Sequence, residues 1–321
     1  MSQKTITKFF AFVISFLLVC LIFSGCSSVF SSKTGNGYKT NENSNSNYDK
    51  PKVTGKIQSN EITESSGIAA SKCQSGVLWT HNDSGDNALI FALDSTGEKL
   101  GTWKVSNAKN IDWEDIAEIK TANGECFLYI GDIGNNTRDR GEFTIYRVKE
   151  PKVSAENKSS GKKNPIETES AETIKFSYPD MRRDAETLMV HPVTGDIYIV
   201  SKRLSGAAAI YKINSDFDLN KINKIEKIDD FSGPAIPNGF LTGGDISPDG
   251  KRVIICDYFN AYELVLPETA KDFDEIWKET PATIELGARE QGEAVGYSAD
   301  GKSIFATSEK KNSPIMEVKR K

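Results

Sequence analysis

The stretch DWEDIA, Asp112–Ala117, is one of five related stretches that each open a run with strand character. The others read ESSGIA at Glu64–Ala69, DAETLM at Asp184–Met189, TGGDIS at Thr242–Ser247 and QGEAVG at Gln291–Gly296. Each sets acidic or small polar residues just before an apolar run. A chain that restarts in the same way every ~50–70 residues is a repeat protein, and all-strand content at that repeat length points to a β-propeller. The fold class is therefore all-β, a single propeller of four-stranded blades.

Working outward, blade one takes strands near Ile62–Ser71, Val77–Asn82, Ala88–Asp94 and Leu100–Val105, with period-two alternation visible in VLWTHND and IFALD. Blade two takes Trp113–Lys120, Cys126–Ile133, Phe143–Lys149 and Thr173–Tyr178. The polar segment PKVSAENKSSGKKNPIETESAE between its last two strands reads as a mobile loop. Blade three takes Glu186–His191, Ile197–Lys202, Ala209–Ile213 and Ile222–Ile228, and blade four Gly244–Ser247, Arg252–Tyr258, Ala261–Leu266 and Thr283–Leu286. ETAKDFDEIWKE in blade four has helical spacing and suggests a short surface helix. Blade five has only Ala294–Ser298, Ser303–Thr307 and Ile315–Val318. Lys52–Ile57 has no other home, and pairing it outside the final strand closes the ring and removes the open edge. Five blades result; a sixth would have to hide between the second and third motifs, where the filler is too polar.

Lys4 and Lys8 precede an apolar run from Phe9 to Phe23, which suits a signal-peptide core and is short for a membrane span. The run ends in Phe23-Ser24-Gly25-Cys26, which resembles the lipobox of bacterial lipoproteins, with Phe where Leu is usual. The resemblance implies removal of residues 1–25 and lipidation of Cys26, hence anchoring to the cell membrane on its extracytoplasmic face. Residues 26–50 are rich in Ser, Asn and Gly and read as a flexible tether, leaving 51–321 as the propeller domain.

The formal net charge of −5 disfavours a nucleic-acid partner, which needs a basic footprint. Two widely spaced His residues disfavour a His-rich metal site. Beyond Cys20 and Cys26, the cysteines Cys73, Cys126 and Cys256 are odd in number. Cys126 and Cys256 lie in apolar strand contexts, so buried free thiols are expected over a disulfide. A monomer is expected.

Connections in a meander alternate between faces. The loops after each first strand, such as HPVTGD, SPDGKR and SADGKS, are plain turns. The opposite face carries the five acidic motifs and the loops after each second strand. Those loops are HNDSGDN, GDIGNNTRDRGE, SKRLSG, DYFNAY and TSEKKNS. Both sets should surround one mouth of the central channel. Two and four places before the first apolar residue of each motif, strand parity puts Glu64, Asp112, Glu114, Asp184, Glu186 and Glu293 on one side. Asp115 and Asp245 fall on the other side and suit bonding between strands. Six converging carboxylates cannot all stay ionised unaided. Three remedies remain open: a hard cation such as calcium, basic partners, or protonation and amide bonding as glue between blades. Asp132, Asn135, Arg138, Lys202, Arg203, Asp257 and Glu309 in the same loops are ligand-binding candidates. His81 beside Asp83 is a candidate general base, against a purely structural role for the histidine. There is no nucleophile elbow, P-loop or zincin helix.

The ordered set ESSGIAAS, LWTHNDSGD, DWEDIA, LYIGDIGNN, IYRVKEP, DAETLMV, GGDISPDG and QGEA resembles a family of exported bacterial β-propeller proteins, mostly lipoproteins without an assigned role. It is more distantly similar to esterase-like phytase domains and to calcium-dependent phosphotriesterase and lactonase propellers. That wider resemblance implies two readings. One is a binding module for a small-molecule or envelope ligand with an acidic, calcium-binding mouth. The other is a metal-dependent hydrolase of phosphoesters, esters or lactones.

Overall fold

The computed structural model describes residues 47–234 and 239–321. The leader, Cys26 and most of the tether lie outside the described residues. The described chain forms five sheets in a ring, each with four antiparallel strands running outward from a common axis. The innermost strands are Ser65–Ala70, Trp113–Lys120, Ala185–Val190, Gly243–Ile246 and Gly292–Tyr297. Each contacts the inner strands of its two neighbouring blades. Four of them are buried at every residue, which explains why a run such as ESSGIA carries no polar-out alternation. Alternation returns only toward the rim, as in Lys99–Ser106.

The cores lie between blades. Trp79, Trp103, Trp113 and Ile130 fill the gap between blades one and two. Leu188, Ile199 and Phe143 fill that between two and three. Tyr198, Ile255 and Trp277 lie between three and four, and Ile254, Tyr297 and Val318 between four and five. A fifth cluster of Ile57, Ile62, Phe91, Ala294 and Ile315 joins blade five to blade one. Five interfaces for five blades close the ring.

Closure is made by Lys52–Lys56, which pairs antiparallel with Pro314–Lys319. The sheet begins still earlier: Tyr48 bridges to Arg320, and its hydroxyl donates to Glu263 at 2.6 Å. Near the axis the strands approach so closely that a Cβ on Gly296 would sit 2.5 Å from the Ile68 carbonyl oxygen.

Four expectations change. Cys73 and Cys126 form a disulfide, with Cα atoms 6.2 Å apart, and among the described residues only Cys256 is a buried free thiol. The first turn of blade one lies beside the second strand of blade two, a proximity that local apolar context does not reveal. The segment expected as a mobile loop holds a 3-10 turn, Ala155–Ser159, and a strand, Ile166–Ser170. That strand adds in parallel to Lys99–Ser106 and covers the outer edge of blade one. Ile222–Lys224 adds in parallel to the outer strand of blade two, leaving Glu226–Phe231 as the outer strand of blade three. The expected helix in blade four is a 3-10 turn, Phe273–Lys278, whose Ile276 and Trp277 are buried against Tyr198.

A chain starting at Gln58 should be less stable than one starting at Asn47 by at least about 3 kcal/mol. Loss of the fully buried Ile57 alone is worth about 2–5 kcal/mol. Urea unfolding measures the difference, and equal midpoints would show that closure does not depend on this strand.

Candidate functional site

The loops entering the inner strands bring carboxylates to the mouth, and the structure sorts them into separate groups. Asp83 from blade one and Asp112 and Glu114 from blade two each offer an oxygen within 4.8 Å of the others. The loop after Cys126–Asp132 passes directly over them. A Cβ on Gly134 would stand 2.0 Å from Glu114 Oε1 and 2.6 Å from Asp112 Oδ2, so a side chain there would displace both carboxylates. Burial, then Glu186, Asp83 and Asp112, push the Glu114 carboxyl well above its usual range. Burial also raises Asp83 to about 7, against a bond from the Ser84 amide and with Asp112 and Glu293 adding to it. Asp112 is raised chiefly by burial, with Arg140 opposing.

Glu186 is neutralised locally. Lys202 Nζ lies 2.5 Å from both its oxygens and sits over the rings of Phe240 and Tyr258, at 4.6 and 5.6 Å. Burial works against the charge on Lys202, but Glu186 outweighs it and raises its pKa. Glu293 and Glu309 form a third group around Gln291, whose amide donates to Glu309 at 2.6 Å and to Glu293 at 3.3 Å. Burial, then Glu309, push Glu293 up to about 8. Glu64 is exposed at the rim, where its backbone bridges to Glu309.

Other candidates build the loops. Asp132 pairs with Arg140 at 2.8 Å and accepts the Asp112 amide. Asn135 holds its turn through the Arg140 amide and the Arg183 carbonyl, while its own N–H donates to Asp184 at 2.7 Å. Asp257 accepts the Phe259 and Asn260 amides and the Tyr262 hydroxyl. Arg138, Lys202, Arg203 and Asp184 line a shallow depression beside the carboxylates.

His81 does not face the mouth. It is fully buried between blades one and two, edge-on to Trp113 at 5.7 Å, with Nδ1 bonded to the Asn82 carbonyl. Burial lowers its pKa to about 4, so the ring is neutral. Every residue of Leu78–Asn82 is covered on both faces, which removes the exposure a general base needs.

One feature was not legible in the sequence. Tyr258 and Phe240 box the Lys202 ammonium, signalled only by an aromatic beside Asp257. Asp115 is a buried tie: Oδ2 accepts Leu188 N at 3.0 Å and Gly244 N at 3.2 Å, and Oδ1 accepts its neighbour Ile116 N. One carboxylate thus bonds blades two, three and four. Asp245 does the same toward Tyr297 in blade five, at 2.9 Å.

No family model and no curated protein matches the sequence. Among solved structures, the chain is similar to a gluconolactonase from Xanthomonas campestris. The TM-score is 0.46 and the identity 8%, over 85% of this chain and 95% of that one.

The carboxyls of Asp83 and Glu293 have folded pKa values of about 7 and about 8, above their usual 3.8 and 4.5. Between those limits the native state holds more protons than the unfolded one, so stability falls as pH rises through that window. The melting temperature of metal-free protein should therefore rise as pH is lowered from 8.5 toward 5.5. Glu118, raised to about 7 elsewhere, titrates in the same range. Asp83→Asn with Glu293→Gln should raise the melting temperature at pH 8 by a few degrees and flatten most of the slope. An unchanged slope in that variant would show that Asp83 and Glu293 are not its origin.

Proposed function

We propose that this protein is a ligand-binding propeller whose mouth takes a divalent cation on Asp83, Asp112 and Glu114. One observation carries the reading. Among the described residues these three carboxylates form no ion pair, whereas Glu186 has Lys202 and Asp132 has Arg140. All their donors are hard oxygens, which suits calcium or magnesium and not a thiolate-seeking metal. A bound cation would neutralise the trio and offer its remaining coordination positions to oxygens of a ligand. Chelation should lower the melting temperature and calcium restore it, since binding at 100 times Kd stabilises by about 2.7 kcal/mol. Glu114→Gln should remove most of that response. Identical melts with chelator and with calcium would sink the cation.

The hydrolase reading draws on the same trio plus Glu293 and Glu309, a carboxyl pair that Gln291 holds beside it. The cation would polarise a phosphoryl or carbonyl oxygen, and Glu293 would move the proton. With His81 buried in the core, that role falls to a carboxyl. Calcium-dependent turnover of a phosphoester or lactone, lost in Glu293→Gln with calcium binding retained, would select this reading over simple binding.

We place the protein on the extracytoplasmic face of the membrane, held through Cys26. The Cys73–Cys126 disulfide supports an oxidising compartment. Cys26→Ala should move the protein from the membrane fraction to the soluble one, or leave it unprocessed. Wild-type protein with an unmodified mature Cys26 by intact mass would overturn the anchor.

A further inference from the structure

We infer that the basic depression between the loops of blades two and three is an oxyanion subsite, in which Arg138, Arg182 and Arg203 hold a phosphate or carboxylate group of the ligand. The inference rests on the mouth being a binding site, but not on a cation being present there.

The depression is walled by these three guanidinium groups with Met181 and Asp184. Lys202 and Arg183 also reach it, but both are engaged, Lys202 with Glu186 and Arg183 with Asp180. The other three are not. Arg182 donates to the Asp139 carbonyl at 2.7 Å, and Arg203 makes one long contact of 3.5 Å to the Ala207 carbonyl. Among the described residues, none of Arg138, Arg182 and Arg203 forms an ion pair with a carboxylate. Arg138 feels Asp184 only at a distance.

Their placement is built. Arg138 has a left-handed backbone, φ 54°, an uncommon state for a residue with a side chain. The turn is held because its N–H donates to the Asn135 carbonyl at 2.8 Å, while the Asn135 side chain bonds the Arg140 amide and the Arg183 carbonyl. Arg203 is pinned through its amide to the Gly239 carbonyl at 2.7 Å. Two blades therefore bring guanidinium groups without a close ion pair to one hollow. Guanidinium forks match the oxygens of phosphate and carboxylate, and such charge-assisted bonds are about twice as strong as neutral ones.

The hollow adjoins the acidic trio. Asp184 lines it and acts electrostatically on Asp112. The mouth is thus split by charge, and its ligand is a molecule whose oxyanion rests on the arginines while other oxygens face the carboxylate side. The hollow is far smaller than a whole small-molecule site. It suits one anionic group and not an entire ligand.

The test uses the full chain without calcium, titrated with inorganic phosphate and separately with succinate, against sodium chloride at equal ionic strength. Calorimetry and thermal shift read the binding. At least one anion should bind and stabilise beyond chloride. Arg138→Gln with Arg203→Gln should weaken it on the order of tenfold or more. Lys251→Gln with Lys302→Gln, on the opposite face, should leave it unchanged. Preference for phosphate or for succinate identifies the group. The calcium response of the arginine variant, measured separately, should stay intact, so the subsite and the cation can fail independently. Should the double variant fold poorly, the exposed Arg182→Gln serves alone. No response beyond chloride, or equal affinity in wild type and arginine variants, overturns the subsite.

Discussion

Five inner strands have to meet on one axis, and the Asp115 carboxylate fastens three of them there. Its oxygens accept amides from blades two, three and four, and Asp245 continues the tie to blade five. Burial alone would push such a carboxyl toward its neutral form, and the three amides are what oppose that. A buried acceptor with its bonds made stabilises, and one left without them costs about 1–3 kcal/mol. The tie works only because the strands lie close enough for main-chain amides of different blades to reach one side chain. The glycine at position 296 permits that approach.

Closing the axis crowds the residues just above it. Two like charges about 4–5 Å apart repel by roughly 3–4 kcal/mol at an effective dielectric near 20, more than an exposed ion pair returns. The mouth answers this locally in three ways: Lys202 takes Glu186, Arg140 takes Asp132, and Glu293 and Glu309 share a raised affinity for protons. The trio of Asp83, Asp112 and Glu114 has no basic partner of its own and is left with raised proton affinity alone. The arginines of the neighbouring hollow carry the complementary imbalance. The functional reading follows from that separation rather than from the total charge.

The strand order, the blade count and the closing strand were legible because each repeat restates one pattern of polar start and apolar run. The parity argument separated Asp115 and Asp245 from their neighbours for the same reason, since alternation is a property of a single strand. The two roles left open for His81 could not be separated along one strand, because the cover on its second face comes from Trp113 of blade two. The outer-edge strands Ile166–Ser170 and Ile222–Lys224 were hidden because each pairs with a sheet that is not its neighbour in sequence.

What the sequence determined by itself is the repeat, and with it the ring, the closure and the face on which the polar chemistry lies. Those follow from periodicity, which is local. What only the tertiary structure decided is pairing: Cys73 with Cys126, Lys202 with Glu186, Arg140 with Asp132, and the carboxylates and arginines left over. Each pair joins loops or strands whose distance is set by how blades stack around the axis. A one-dimensional pattern cannot state that distance, because it depends on side chains from the adjoining blade that fill or leave open the space between.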